Sequence, residues 1–321
     1  MTFLLALLTV SAALSVSDSG ASGITGLRAV TVAVRSIDKS LDLYEKQLGM
    51  KRTVEAGEPP AGPSMLIPPG RKNRVVTLRQ EGGGLADLRL VEIGGKSDPI
   101  REGVSPWDWA IFDMGFLTPD LDKVRTQLVS AGFICKAVAK YQSGNPGGTV
   151  QETICRGPQE EAFQLMQGED SGEGLRGISD LAISTKDATL MLPFYEQGLG
   201  LKKVSDATYA NDGIREVVGL PTGGKLRVVT LAAPSDSKTR VRLLEFYDGG
   251  GWRLLGKSLG DRARPPRHGI YLVTFEVANL DATLQRCQQQ GGRLVVPASG
   301  SPRAATVSSP DGVLFELVER K

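Results

Sequence analysis

The sequence contains very little histidine and cysteine. His268 is the one histidine in 321 residues, and the three cysteines, Cys135, Cys155 and Cys287, include no CxxC pair. Imidazole and thiolate are the usual ligands of zinc and of most catalytic transition metals. Their scarcity excludes a thiolate metal site and leaves His268 as the one residue through which imidazole acid–base catalysis could run.

The chain also lacks an excess of charge of one sign and a long apolar segment. Its 38 basic and 36 acidic residues nearly cancel, and no long run of Lys or Arg occurs, so the composition does not support a nucleic-acid partner. The apolar run from Phe3 to Leu14 is too short to cross a bilayer, as is every other run, so we expect no stable membrane span.

The apolar run does predict a targeting segment. Small residues at Ala13 and Ser15, at the end of the run, have the spacing of a cleavage site, which indicates a signal peptide over residues 1–23 and a secreted, periplasmic or secretory-pathway protein. No Lys or Arg precedes the run. A disordered N-terminal extension on a cytoplasmic protein is therefore the alternative.

Two cysteines flank the turn-rich sequence QSGNPGG, in a stretch whose pattern predicts a hairpin. In a hairpin Cys135 and Cys155 could face each other and form a disulfide, leaving Cys287 free. Three reduced thiols packed as small apolar groups are the alternative.

The most informative feature is an internal duplication. LDLYEKQLGM at Leu41 is followed about 150 residues later by LPFYEQGLGL at Leu192, and RVVTL occurs at both Arg74 and Arg227. We predict two homologous domains, residues 24–170 and residues 171–321, joined through the polar, Gly-rich sequence QGEDSGEGLRG.

Each half repeats a shorter pattern. Period-2 alternation in the strands and 3.6-residue spacing in the helices predict four βαβββ units and an α+β fold. One such unit is too small to bury a core alone, so the units should pair into two barrels of curved sheet, each enclosing a trough. Pairing of neighbouring units is the first expectation, and pairing of the first unit with the fourth is the alternative.

The motifs resemble the vicinal oxygen chelate superfamily, which includes glyoxalase I, bleomycin resistance proteins and extradiol dioxygenases. The resemblance rests on LYEKQLGM, FYEQGLGL, NLDATLQRCQQQGG and SPDGVLFELVER, and it covers the chain from Arg28 to Lys321. It implies a divalent metal in a trough, held by His or Glu on the first and last strands of paired units, acting as a Lewis acid on two neighbouring substrate oxygens.

None of the eight positions that correspond to the implied metal ligands is a histidine. In the first half the positions fall on Ala29, Glu92, Asp113 and Gln164, and in the second half on Asp180, Glu245, Leu272 and Glu316. The usual His-containing centre is therefore not expected. If the protein is an enzyme, we predict that Asp180, Glu245 and Glu316 converge as catalytic carboxylates and hold Mg²⁺, Mn²⁺ or Ca²⁺, which prefer oxygen ligands. Pairing of the first unit with the fourth would dissolve this site.

Four further residues are candidate substrate contacts: His268, Glu92, Asp113 and Gln164. Each also has a plain structural interpretation, as a surface loop histidine or as a strand side chain paired with an arginine. The helix tyrosines Tyr44 and Tyr195 are expected in the core. The segments GEPPAGPSMLIPPGRKN and YANDGIREVVGLPTGGKL differ between the halves and are expected at the trough mouths, where specificity resides.

Three functions remain after these exclusions. The first is a protein that binds a small oxygenated molecule in a trough without the usual metal centre, as bleomycin resistance proteins do without chemistry. The second is a divalent-metal-dependent lyase, isomerase or epimerase with an all-oxygen ligand set, and the third is a non-catalytic structural or interaction protein. A small molecule is the favoured partner, and a homodimer stays open because family members also close barrels between chains.

Overall fold

The structure is a computed structural model that describes residues 23–53, 62–67, 74–80, 86–93, 97–142, 148–168 and 175–320. The predicted signal peptide and the centre of the predicted linker lie outside these ranges. Among the described residues, no helix is long and apolar enough to cross a membrane.

The described elements form the four predicted units. Unit 1 comprises β1 (Ile24–Val34), α1 (Ile37–Leu41), β2 (Lys51–Thr53), β3 (Val75–Arg79) and β4 (Asp87–Glu92). Unit 2 comprises β5 (Ala110–Thr118), α2 (Leu121–Ser130), β6 (Ile134–Cys135), β7 (Ala139–Gln142), β8 (Thr149–Arg156) and β9 (Ala162–Gln167). Unit 3 comprises β10 (Ile178–Ser184), α3 (Ala188–Pro193), β11 (Lys202–Tyr209), α4 (Asp212–Val218), β12 (Lys225–Ala233) and β13 (Asp236–Tyr247). Unit 4 comprises β14 (Gly269–Val277), α5 (Leu280–Gln289), β15 (Arg293–Ser299), β16 (Ala304–Ser308) and β17 (Leu314–Glu319).

The units pair as first with fourth and second with third. One curved sheet has the order β15-β16-β17-β14-β1-β4-β3-β2, and the other has β11-β12-β13-β10-β5-β9-β8-β6, with β7 on β8. Antiparallel pairing of β1 with β14 and of β5 with β10 joins the units. The expectation that the two units of each half share a trough is therefore wrong for both halves, and the alternative pairing of the first unit with the fourth is the one observed. We name the concave face of the unit 1–unit 4 sheet trough A and that of the unit 2–unit 3 sheet trough B.

Local sequence determines where the helices begin. The N-cap residues Ser36, Asp120, Asp187, Asn211 and Asn279 each accept a hydrogen bond from a backbone amide in the first turn. The duplicated LYEKQLGM and FYEQGLGL continue α1 and α3 as π-helical turns, Asp42–Gln47 and Phe194–Gly198. The helices pack on the convex faces of the sheets and bury Tyr44 and Tyr195 there, as expected.

Each trough is covered by a connection from the odd-numbered unit. The short helical turn Pro63–Met65, between β2 and β3, packs on β15 and β16 and buries Met65 in trough A. The corresponding connection of unit 3 contains α4, which packs on β7, β8 and β12 and buries Ile214, Val217 and Val218 in trough B. The described parts of both variable segments thus lie at the trough mouths.

Candidate functional site

The last strands of the four units share a short pattern that defines the trough positions. Their sequences are RLVE in β4, QLMQ in β9, RLLE in β13 and ELVE in β17. The first residue of each pattern, namely Arg89, Gln164, Arg242 and Glu316, pairs in register with Thr31, Gly115, Ala182 and Thr274 of the first strands. These eight residues are the equivalent inward positions.

Glu92 and Glu245 lie outside the troughs. Each is the fourth residue of its pattern, three residues after Arg89 or Arg242, and side chains three apart in a strand point to opposite faces. On the convex face Glu92 accepts from the Ile37 amide at 2.7 Å and Glu245 from the Ala188 amide at 3.3 Å. Glu319 does the same for Leu280 at 3.1 Å. These carboxylates stabilise helix N-termini, so the assignment of Glu92 and Glu245 to the troughs is wrong.

Trough B brings Asp113, Gln164 and Asp180 together around Arg242. The Arg242 Nη2 atom lies 2.7 Å from Asp180 Oδ1 and 3.5 Å from Asp113 Oδ1, and it donates to Gln164 Oε1. The Gln164 amide in turn donates to Glu152. Asp113 and Gln164 come from unit 2, whereas Asp180 and Arg242 come from unit 3, so the cluster exists only because these units share a sheet.

Small residues make room for this cluster. Asp180 lies opposite Gly115, and Asp113 lies opposite Ala182, across the β5–β10 pair. A Cβ on Gly115 would collide with the carboxylate of Asp180. The glycine therefore allows the Asp180 side chain to lie flat against β5 and to reach Arg242.

Burial controls the protonation of the cluster. It raises the pKa of Asp113 to about 7, although Arg242 opposes the shift, and the nearby charges of Asp180 and Glu152 add to it. Burial also raises the pKa of Glu152, against the charge of Arg242. Burial disfavours the charged form of Arg242, but the surrounding carboxylates outweigh it and raise its pKa, so the guanidinium stays protonated.

Trough A holds a simpler ion pair. Arg89 Nη1 lies 2.7 Å from Glu316 Oε2, and their side chains are 1% and 0% exposed. Thr274 Oγ1 donates to the same carboxylate oxygen at 2.7 Å. Burial opposes ionisation of Glu316, yet Arg89 outweighs it and lowers the pKa. Glu316 thus lies in a different sheet from Asp180 and Glu245, and the expected convergence of these three carboxylates is wrong.

His268 is buried and tied to neighbouring loops. It directly precedes β14, and its Nδ1 lies 3.1 Å from Ser97 Oγ and 3.4 Å from Arg35 Nε. Burial lowers its pKa, so the ring is neutral at pH 7. The expectation of a surface loop histidine is wrong. No described contact joins His268 to the Arg242 cluster.

The sequence offered an arginine as the ion-pair partner of a strand carboxylate, and Arg242 is such a partner of Asp180, but Arg89, Glu152 and Tyr141 were missed. Tyr141 Oη donates to Glu152 Oε1 at 2.9 Å, which extends the cluster toward the trough mouth. The repeated four-residue pattern of the last strands was a usable signal, because it aligns Arg89 and Arg242 with Gln164 and Glu316. Glu152 and Tyr141 lie outside this repeated pattern, so it could not have indicated them.

The trough residues do not fit a divalent metal. At the positions where the resemblance implies metal ligands, each trough presents a guanidinium, a cation that donates hydrogen bonds and cannot coordinate a metal. Asp180 and Glu316, two of the predicted metal ligands, already accept hydrogen bonds from these arginines. Within the described ranges, no group of three or more His, Cys, Asp or Glu residues has the geometry of a metal site.

The chain matches a known protein family in sequence. Residues 177–317 match the family model described as Glyoxalase/Bleomycin resistance protein/Dioxygenase superfamily. This match assigns the second half of the chain to that superfamily, and the fold agrees with the assignment. A comparison with curated protein sequences finds no match.

Solved structures of this superfamily extend the fold assignment to both halves. A point mutant of glyoxalase I from Zea mays is 17% identical, with a TM-score of 0.60 and coverage of 92% of each chain. Glyoxalase I from Zea mays itself is 16% identical, with a TM-score of 0.59 and coverage of 92% of each chain. A putative dioxygenase from Bacillus subtilis subsp. subtilis str. 168 is 12% identical, with a TM-score of 0.56 over 93% of this chain and 86% of the other. At these identities the similarity shows a shared fold.

Proposed function

We propose that this superfamily member binds a small oxygen-containing molecule in trough B, without a metal and without catalysing a reaction. One observation carries the proposal: the Arg242 guanidinium lies among Asp113, Gln164 and Asp180, on the inward strand positions from which superfamily members are expected to hold a metal. The guanidinium, a cation that is part of the protein, thereby takes the place of a bound metal ion.

A guanidinium can bind an oxygenated molecule but cannot replace the chemistry of the metal. It donates hydrogen bonds to carbonyl, hydroxyl or carboxylate oxygens in a fixed plane. It has no vacant orbital with which to polarise a substrate as a Lewis acid does. Arg242 therefore supports binding. It does not support a metal-dependent lyase or isomerase, because the Lewis acid that such an enzyme requires is replaced by a guanidinium.

Trough B is a better candidate than trough A. The Arg89–Glu316 pair is fully buried, and the Pro63–Met65 turn lies over it, with the Met65 carbonyl accepting from Tyr271 at 2.9 Å. In trough B the Arg242 side chain is 16% exposed, and neither Arg242 Nε nor Asp113 Oδ1 has a hydrogen-bond partner among the described residues. A buried polar atom without a partner typically costs about 1–3 kcal/mol, which a bound molecule could recover.

Entry to trough B requires movement of α4. This seven-residue helix begins after the Asn211 cap and ends at Gly219, whose φ of 77° marks a left-handed turn. It presents Ile214, Val217 and Val218 to the trough, while Asp212 and Glu216 face solvent. A short amphipathic helix between two turns can act as a lid, because few contacts must break for it to open.

The proposal is tested with 1-phenylethane-1,2-diol, a small probe that carries two neighbouring oxygens. We expect saturable binding by isothermal titration calorimetry to protein that contains no stoichiometric metal by elemental analysis. Arg242→Met should abolish binding, whereas Arg240→Met should not, because Arg240 is an exposed residue two positions earlier on the same strand. Both variants must first unfold cooperatively, so that loss of binding is not loss of fold.

Two outcomes would contradict the proposal. Stoichiometric Mn²⁺, Mg²⁺ or Ca²⁺ that persists through dialysis would favour the metal-dependent enzyme. Diol binding that is absent, or that is equal in the wild type and in Arg242→Met, would remove trough B as the binding site and favour the structural or interaction protein.

We also propose that the protein is exported. The bond between Cys135 of β6 and Cys155 of β8 supports this location, because disulfides persist in oxidising compartments. Mass spectrometry of the mature N-terminus decides the matter: cleavage before residue 24 supports export, and an intact Met1 argues against it.

A further inference from the structure

The Arg242 cluster contains more acidic than basic groups. Asp113, Glu152 and Asp180 are 2%, 2% and 4% exposed, and Arg242 is the guanidinium that pairs with two of them. Three buried carboxylates beside one partly buried cation leave excess negative charge, which a protein interior must neutralise with protons or with a further cation.

The remaining charged groups around the cluster do not balance it. Arg101, which precedes β5, directs its guanidinium at the carbonyls of Ser105, Pro106, Asp108 and Ile111, and acts on Asp113 only at longer range. On α4, Arg215 pairs with Asp212, and Glu216 faces solvent. Tyr141 of β7 adds no positive charge, and burial raises its pKa, so it is neutral at pH 7.

A second observation indicates where a further cation would bind. Within the part of the chain that the structure describes, Asp113 Oδ1 is buried and accepts no hydrogen bond, and Arg242 Nη2 lies 3.5 Å from it. This oxygen can accept from an N–H donor of a ligand. The neighbouring Arg242 Nε, also without a partner, can donate to an oxygen of the same molecule.

Aromatic rings stand beside the acidic groups. Tyr141 and Tyr209 meet edge to face, with ring centroids 5.9 Å apart, and Tyr141 Oη is bonded to Glu152. Both rings pack against the apolar residues of trough B. Aromatic rings next to carboxylates are typical of sites that bind organic ammonium groups.

Resting on the proposed function, we infer that the molecule bound in trough B carries a protonated amine beside its oxygen. The ammonium lies against Asp113, and the oxygen accepts from Arg242. An amino alcohol is the simplest molecule of this class. On binding, the ammonium replaces the proton that neutralises Asp113 in the free protein, so uptake of the amine releases a proton to solvent.

A matched pair of probes tests the inference. Phenylglycinol is a primary amino alcohol, and 1-phenylethane-1,2-diol is its counterpart with a hydroxyl in place of the amine. We expect phenylglycinol to bind roughly ten- to hundredfold more tightly, the gain from a hydrogen bond between charged groups. Titrations in two buffers with different ionisation enthalpies should detect the released proton, and affinity should rise from pH 6 to pH 8.

Variants test which carboxylate causes the preference for the amine and the release of a proton. Asp113→Asn should reduce the preference for the amine over the diol to about threefold or less and remove proton release. Glu152→Gln should reduce the preference less. Asp87→Asn is the control, because Asp87 is a buried aspartate of the other sheet that pairs with Arg79.

The outcomes separate the two proposals. Equal affinities for the two probes, or tighter binding of the diol, would overturn the amine inference and leave the ligand site in place. Amine preference that survives in a folded Asp113→Asn protein would also overturn it. If neither probe binds the wild type, both proposals fall.

Discussion

Arg89 on β4 and Glu316 on β17 form a buried ion pair at 2.7 Å, although the two residues are separated by most of the chain. Arg242 occupies the equivalent strand position in the other sheet, where it pairs with Asp180 at 2.7 Å. Both troughs thus hold a guanidinium, contributed in each case by the last strand of an odd-numbered unit. The two pairs differ in burial, so loss of the guanidinium should have different consequences in the two troughs.

Removing the guanidinium from trough B should create a cation site. Arg242→Met leaves Asp113, Asp180 and Glu152 uncompensated, and loss of one partner from a buried ion pair costs about 3–5 kcal/mol. We expect added Mn²⁺ to restore part of this loss in the variant and to have no such effect on the wild type. Thermal unfolding with and without Mn²⁺ measures this stabilisation, and Arg240→Met is the control. Equal Mn²⁺ stabilisation of both proteins would show that the guanidinium does not occupy a cation position.

The Arg89–Glu316 pair should contribute to stability only as a pair. Arg89→Met or Glu316→Gln alone should destabilise the protein by about 3–5 kcal/mol, because each leaves a buried polar group without its partner. The double variant Arg89→Met/Glu316→Met should cost less than the sum of the single changes. Urea unfolding of all four proteins gives the coupling free energy. Additive losses would mean that the two side chains do not interact in solution.

Helix-capping carboxylates should affect stability but not binding. Glu245 is fully buried and bonded to the Ala188 amide and to Arg227, so Glu245→Gln should cost about 2–4 kcal/mol. Glu92→Gln should cost about 1 kcal/mol, because Glu92 is partly exposed and its ion pair with Arg74 spans 3.8 Å. Calorimetric affinity for the trough B probes should be unchanged in both. If folded Glu245→Gln loses affinity for the probes, Glu245 would have to be part of the trough B ligand site.

Locking the α4 lid should block trough B. A Cβ on Gly213 of α4 would lie 3.3 Å from the Ala139 Cβ on β7, close to the separation of Cβ atoms in a disulfide. Gly213→Cys/Ala139→Cys should therefore cross-link oxidatively and lose probe binding, and either single variant should retain it. Undiminished binding to the cross-linked protein would show that ligands enter without movement of α4.

The buried carboxyl of Glu161 should make stability depend on pH. Tyr44 Oη donates to it at 2.7 Å and the Gln159 amide at 2.7 Å, yet burial raises the pKa of Glu161 to about 7. Because the folded pKa lies above the unfolded value of about 4.3, this stabilisation is complete below about pH 4 and is lost as the pH rises through about 7. The loss should reach about 4 kcal/mol by pH 8.

Glu161→Gln should remove this component, so that the stability difference between variant and wild type grows from pH 5 to pH 8. Glu160→Gln is the matched control, since Glu160 is more exposed and pairs with Arg156 at 3.4 Å. Urea unfolding at several pH values provides the measurement. A constant difference between Glu161→Gln and wild type would show that Glu161 does not titrate in this range.

Part of the candidate site could be read from the sequence. Gln164 and Glu316 were assigned correctly to inward strand positions, and Asp113 and Asp180 to the face that meets them. Glu92 and Glu245 were misplaced by three residues along their strands, which in a period-2 structure is enough to reverse the face. Arg242 was considered only as the ion-pair partner of a strand carboxylate, and Arg89 was overlooked, because the resemblance directed attention to metal-ligating residue types, and an arginine is not one.

The sequence alone determined the four βαβββ units, the helix starts and the duplication, because hydrophobic period and capping residues act over a few neighbouring positions. Tertiary structure alone decided which units share a sheet. The joining strands β1, β5, β10 and β14 are mostly apolar and similar, so their local patterns fit more than one partner. Pairing of unit 2 with unit 3 is what brings Asp113 and Gln164 to Arg242, and pairing of unit 1 with unit 4 is what brings Arg89 to Glu316.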